Sequence, residues 1–390
     1  MRNFSRFLLS TLALAFVLSL TSTAHATTWV VGGCSGDPEL TGPDGLQIVL
    51  GDEGPSPLAP GDTIELCSSP IFYGDNIVYT DNITITNVPK APKPFINCQE
   101  DDDDTNVGIA VLANGVTVKN VVLEGCLVAI FDGGPAFQVG DLGGNTPTLL
   151  NSLKAPYNAT HQAPVGALVA NIDPAWKTHG KHGGKRHTGC PTTDVNLCVS
   201  GDDIEGNLLG VLTLGMGDMD IDGNLFSANG FAAVTVINSF TSKIANNNIT
   251  GFNDVVEDEF LGSAGILDVD SDQDLIENNK VQNTGIAIDL EGLIVGTQQT
   301  TVKGNTVKYN AVGLGADVID AFFLYNGGSS QNVFSSNTAK NNYPPNSALP
   351  FITGGCVDFT EGGGTAGTAD TWKSSNKCDS SEDISGAPLP

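Results

Sequence analysis

Across residues 201–342 short apolar stretches alternate with polar turns, and one arrangement returns six times. It reads Ile204-Glu-Gly-Asn207-Leu-Leu, Ile221-Asp-Gly-Asn224-Leu-Phe, Ile244-Ala-Asn-Asn247-Asn-Ile, Ile276-Glu-Asn-Asn279-Lys-Val, Val302-Lys-Gly-Asn305-Thr-Val and Phe334-Ser-Ser-Asn337-Thr-Ala. In each, an apolar residue stands three positions before an Asn and another stands two after it. Successive Asn residues are 17, 23, 32, 26 and 32 positions apart, so the motif is fixed while the connections vary. Gly and Asn crowd these segments, and the apolar residues lack sustained i, i+3, i+4, i+7 spacing, which excludes helices. The pattern predicts an all-β chain, a parallel β-solenoid whose flanking apolar residues fill the interior. The six Asn are expected to stack at one bend, each amide bonding those of the coils above and below. Unrelated Asn-rich turns in a β-sandwich would not repeat one motif six times. A further alternating run at 115–125 adds a coil with Val116 and Val118 inward, followed by Val121 or Leu123.

The chain start reads differently. Arg2 and Arg6, the apolar run from Phe7 to Leu20 and Ala24-His25-Ala26 form a secretory signal over residues 1–26. No Cys follows closely enough for lipid attachment, and no later stretch approaches about 18 uninterrupted apolar residues. The mature chain is therefore expected to be secreted or periplasmic, without a membrane partner. Eight Cys in an exported chain, with no CxxC pair, suggest four disulfides rather than metal clusters. Pairing neighbours gives Cys34–Cys67, Cys98–Cys126, Cys190–Cys198 and Cys356–Cys378, the first and last pinning the ends of the stack. A formal charge of −27 repels nucleic acid and anionic membranes and favours a soluble monomer. One elongated domain over residues 27–378 is expected, with Trp372 as an apolar lid and residues 379–390 disordered.

Thr28-Trp-Val-Val31 opens the mature chain as a strand, and Pro60-Gly61-Asp62-Thr63-Ile64-Glu65-Leu66 then leads into Ile71-Phe-Tyr73, Asn76-Ile-Val78 and Asn82-Ile-Thr-Ile85. This resembles the N-terminal coils of right-handed parallel β-helix proteins of the pectin-lyase-like superfamily. The likeness covers residues 28 to about 120 and 201–378. It implies a single-stranded right-handed β-helix and, as function, the binding or processing of polysaccharide, as by a calcium-assisted polysaccharide lyase, or alternatively a non-catalytic extracellular surface or matrix β-helix that binds glycans or proteins.

Residues 140–200 interrupt the repeat. This insertion holds His161, His179, His182 and His187, with Trp176, Lys177, Lys181, Lys185 and Arg186, a basic loop on an acidic body. It reads as a solvated insertion held at its base by Cys190 and Cys198. Trp176 could stack on a sugar, and the His run could ligate zinc or copper. The four consecutive acids Asp101 to Asp104 read as a solvated tip, because adjacent carboxylates cannot all converge on one cation.

Carboxylates recur after the Asn in three coils: Asp268, Asp270, Asp272 and Asp274; Asp289 and Glu291; Asp317 and Asp320. Ile286, Ile288 and Leu290 alternate with Asp289 and Glu291, which puts the acids outward. Neighbouring coils lie about 4.8 Å apart, so acids on two coils could share a cation. Ca²⁺ held by Asp268, Asp270, Asp289 and Glu291 would resemble the metal site of pectate-lyase-like enzymes, with Asp289, Glu291 and Arg186 as catalytic candidates. Lys243, Lys280 and Lys303 are further candidate bases. Without metal, an acid/base pair would suit glycoside hydrolysis, and a solvated acidic face would do neither. Asp218-Met-Asp220-Ile-Asp222 mimics the start of an EF-hand loop, but its twelfth position is Asn229, so these read as outward strand acids. The polygalacturonase-like pattern is excluded. Asn171-Ile-Asp173 and Gly201-Asp202-Asp203 are present, but no His or Arg follows them.

Overall fold

The computed structural model describes residues 26–51, 57–98, 107–133, 195–251, 264–292, 296–310, 312–317, 329–342, 355–358, 370–379 and 381–383. The signal segment up to residue 25, Asp101–Asp104, Asp320 and the body of the insertion, including its His residues, Trp176 and Arg186, lie outside them. The described strands form three parallel sheets of eleven, ten and ten strands, here named A, B and C. After Thr28–Val31 in sheet A, the chain lays one strand in A, one in B and one in C, then climbs to the next coil, finishing at Ser381–Asp383. All registers are parallel, for example Ile221↔Ile244 and Ile276↔Val302 in sheet A. The solenoid thus extends beyond residue 378, and the insertion ends before the strand Leu197–Ser200.

The interior is filled by the apolar residues of the repeat. Ile221, Ile244, Ile276, Val302 and Phe334 stack in one column, and Phe226, Ile249, Val281, Val307 and Ala339 in another; all are buried. A second apolar cluster that includes Phe131, Leu212 and Leu267 covers the outer face of sheet C, so that sheet is buried on both sides.

Five of the six motif Asn residues stack at the bend between sheets A and B. Asn224, Asn247, Asn279, Asn305 and Asn337 each donate Nδ2 to the Oδ1 of the next at 3.0–3.1 Å, and Asn376 ends the ladder. Each Nδ2 also donates to a backbone carbonyl of the coil behind, as Asn279 does to Ile244 O, and each Oδ1 takes a backbone N–H as well. The ladder residue is preceded by one in the left-handed region: Gly223, Asn246, Asn278, Gly304 or Ser336. The expectation for Asn207 is corrected. It lies one bend further on, between sheets B and C, where it bonds Asn229 at 3.1 Å. Thr284, Asn310 and Asn342 continue that second ladder in later coils. Position 202, an Asp, occupies the first bend in its coil, accepting from Val121 N and donating its own N–H to Asn224 Oδ1.

Both ends are closed. At the first coil a six-residue helix, Gly45–Leu50, which the sequence reading did not anticipate, buries Leu46, Val49 and Leu50 against the core. Asp62 of the Pro-Gly-Asp-Thr-Ile turn ties down the opening strand by accepting from Thr27 N and Trp29 Nε1. At the last coil Trp372 stacks on Phe334 with ring centroids 3.9 Å apart. Cys34–Cys67, Cys98–Cys126 and Cys356–Cys378 are formed. Cys198 is also disulfide-bonded, with its partner outside the described residues.

Candidate functional site

Register separates the acids expected to act together. In sheet C, Asp268 pairs with Leu290 and lies in the column of Val236, Leu290 and Ala316, all core residues, so its carboxyl points into the solenoid. Asp289 and Glu291 alternate with the inward Ile288 and Leu290 and face the other way, next to Leu267 and Val269. They face outward as expected but are buried rather than solvated, at 0% and 1% exposure. Asp270 lies at the following bend, where its Oδ1 accepts from Gly296 N. Asp317 is used by Ser329, which donates both its N–H and its hydroxyl. One ion cannot be held by residues on opposite sides of a sheet, so the set Asp268, Asp270, Asp289 and Glu291 does not fit a shared Ca²⁺. Among the described residues no three His, Cys, Asp or Glu side chains are grouped to hold a metal.

Inside the solenoid, Asp268 is joined to Asp274 through Thr300, whose hydroxyl lies 3.5 Å from Asp268 Oδ2 and accepts from Asp274 N. Burial pushes the Asp268 carboxyl up to about 7, and it raises Asp274 well above the ordinary range, with the Asp268 charge adding to the effect.

The candidate bases lie elsewhere. Lys243 and Lys303 are on sheet A and Lys280 on sheet B, while the described strands of sheet C contain no Lys, Arg or His. Lys243 Nζ sits 3.4 Å from both Asp220 and Asp222, and Lys303 pairs with Glu277 at 3.3 Å. Asp218 accepts from Thr241 Oγ1 and Asp222 from Asn246 Nδ2. The EF-hand-like run is therefore a series of outward strand acids engaged by protein partners.

Among the described residues a concavity lies on the outer face of sheet A in the first coils. Thr63 pairs with Thr84 and Glu65 with Thr86, and Lys119 continues the same face one coil on. The strand-end residue Asn87, Lys90 in the turn that follows, and Lys93 form one wall of a groove of about 700 Å³. Lys93 is bound to Asp203 at 2.8 Å, which leaves Lys90 and Lys119 as the groove's cations beside hydroxyl and amide groups. Sequence reading missed it, because its residues belong to three coils and no local motif unites them.

Residues 196–370 match the family described as "Right handed beta helix region". No curated protein matches the chain. Among solved structures the chain is similar to an alginate lyase from Paenibacillus sp. str. FPU-7, at 13% identity and TM-score 0.43 over 89% of this chain and 85% of that one. It is also similar to a lacto-N-biosidase from Eubacterium ramulus, at 12% identity and TM-score 0.44 over 80% and 60% of the two chains. A third is the Dettilon tailspike protein, at 10% identity and TM-score 0.37 over 93% and 66%. With one strand per coil in each of three parallel sheets, the chain is a parallel β-helix, and residues 196–370 carry the right-handed β-helix match.

Proposed function

We propose that the chain is an exported β-helix that binds polysaccharide in the groove on the outer face of sheet A. The observation that carries this reading is the groove's lining. Thr63, Thr84 and Asn120 present hydroxyl and amide groups, Thr86 and Asn87 bond within the protein, and Lys90 and Lys119 add cations beside Glu65 on an otherwise acidic molecule. Such a surface suits the dense hydroxyls of a glycan, which exchange hydrogen bonds with water for equivalent ones on a rigid sheet. Disulfides near both ends support an oxidising destination, and no helix of the described residues is long and apolar enough to cross a membrane. A calcium-assisted lyase is the weaker reading, because its acids and bases stand on different faces. Affinity electrophoresis of the purified mature protein through gels carrying single glycans tests the proposal. Retardation by at least one glycan, weakened about fivefold or more in the Lys90→Ala/Lys119→Ala variant, is expected. Migration unaffected by every glycan would overturn it. Calcium-dependent release of unsaturated product from a polyuronate, lost in Asp289→Ala, would restore the lyase.

A further inference from the structure

The inner corner where the chain passes from sheet C to sheet A changes character in one coil. Val236, Asp268 and Leu290 stack in register at the end of sheet C, and Ser242, Asp274 and Thr300 stack where sheet A begins. The middle coil therefore puts two carboxyls where its neighbours place an aliphatic side chain and a hydroxyl. Both are buried, Asp268 at 0% and Asp274 at 2% exposure. Asp274 Oδ1 accepts from Ser242 N at 2.7 Å, and Asp268 Oδ2 lies 3.5 Å from the Thr300 hydroxyl. The other oxygens, Asp268 Oδ1 and Asp274 Oδ2, have no hydrogen-bond partner.

A buried carboxylate is costly unless its charge is compensated, and this one coil buries two. Among the described residues no Lys, Arg or His is buried, so no basic side chain compensates them from inside. Lys243, on the same stretch of sheet A, is turned to Asp220 and Asp222. The pair is surrounded instead by hydroxyls: Ser271 beside Asp268, Ser239 beside Asp274 and Thr300 joining the two. All three are buried. Ser271 donates its hydrogen to Val269 O and Ser239 Oγ lies 2.8 Å from Ser242 Oγ, so these hydroxyls leave the two free oxygens unsatisfied while keeping lone pairs of their own.

We propose that Asp268 and Asp274 hold a calcium ion sealed inside the solenoid, with the hydroxyl oxygens of Ser239, Ser271 and Thr300 completing its shell. Every donor is a hard oxygen, and the corner offers neither the imidazole nor the thiolate that zinc or copper prefers. Two carboxylates match a double charge, which a monovalent ion would leave half neutralised. Mg²⁺ demands octahedral geometry and keeps several waters, whereas Ca²⁺ accepts about six to eight oxygens in a flexible shell. The ion is structural: Asp289 and Glu291 lie on the opposite side of sheet C, and a ligand outside the solenoid does not reach it. In the calcium-free chain, protons take its place on the pair. Only opening of the coil admits the ion, so it enters as the chain folds and then exchanges slowly.

The test compares two ways of removing metal from the disulfide-intact mature protein folded in calcium. Elemental analysis should find about one tightly held calcium per chain, and dialysis of the folded protein against EGTA should leave it in place. Unfolding in urea and refolding with EGTA should give a metal-free chain that melts lower by about 5 °C or more, and refolding with calcium, but not magnesium, should restore it. The Asp268→Asn/Asp274→Asn variant should carry no calcium and melt at the same temperature with or without it. Asn332 takes the place of Asp274 two coils on, so the corner accepts an amide there. Asp289→Asn should keep the ion. Wild-type protein without calcium would overturn the proposal and leave the pair to protons alone. Calcium that EGTA strips from the folded chain, as from a surface site, would overturn it too, as would calcium retained by the double variant. The wild-type comparison decides even where the variant fails to fold.

Discussion

At the scale of single residues, the ladder amides do what the sequence motif implies. An Asn at the first bend offers two donors and one doubly used acceptor, and all are satisfied between Val199 and Asn376. Asn279→Leu should cost about 3 kcal/mol in urea unfolding, because it strands the Asn247 amide and the Ile244 carbonyl in the core together. Asp202 takes the same place with a carboxyl. Its Oδ1 accepts from Val121 N, its Oδ2 is buried without a hydrogen-bond partner, and burial pushes it up to about 8. At neutral pH it is therefore mainly protonated and imitates the amide. Asp202→Asn should stabilise the fold by on the order of 1–3 kcal/mol at pH 8, and by much less at pH 4, by chemical denaturation at the two pH values. Asn207 shows where local wording is ambiguous. Gly206-Asn207 and Gly223-Asn224 read alike because both bends use a left-handed residue followed by a bonded Asn.

At the scale of strands, alternation was legible and register was not. The inward Ile288 and Leu290 give the orientation of Asp289 and Glu291 directly. The same rule applied to Ala264–Val269 puts Asp268 on the side of Ile266, inside, whereas a cation shared with Asp289 and Glu291 requires it to face outward. Register depends on loops of variable length, which is why the sheet B column of Lys280, Thr306, Thr338 and Lys377 has no sequence signature. Sheet C carries a further register-dependent feature near the start of each strand. There, successive coils place Gly108, Ala129, Gly210, Ala233, Gly265, Ala287 and Gly313, a Gly/Ala alternation. A Cβ on Gly265 would lie 2.3 Å from the Ala287 carbonyl oxygen and 2.5 Å from a Val281 methyl. The contacted carbonyl belongs to backbone held in the sheet and cannot move cheaply. Gly265→Ala should therefore destabilise by about 1–3 kcal/mol, while Ala287→Gly should cost no more than about 1 kcal/mol, both read from urea midpoints.

At the scale of the whole molecule, the buried carboxyls set how stability responds to pH. Asp370 is pushed up to about 6 by burial, with Asp358 adding to the effect, and Asp268 and Asp202 stand at about 7 and 8. Asp274 is raised as well. Each is protonated in the folded chain and ionised in the unfolded chain above the ordinary value of 3.8, so folding takes up protons between that value and the raised one. Stability then falls as pH rises, because the native state binds more protons than the unfolded state. The contribution is complete below about pH 4 and is lost stepwise through 6, 7 and 8. Self-repulsion among the surface acids acts in the same direction, since a net charge of −27 shrinks as carboxylates protonate. Melting temperature should therefore be higher at pH 5 than at pH 8, the reverse of a protein held by ionised carboxylates. Replacing Asp202 and Asp370 together by Asn should flatten the profile between those values, because the amide keeps the backbone N–H bonds from Val121 and Asn332 without a titrating proton. A profile that rises from pH 5 to 8, or one that the double variant leaves unchanged, would show that these carboxyls are ionised in the native state. The solenoid interior would then have to supply them with donors, at a cost of several kcal/mol for each uncompensated charge.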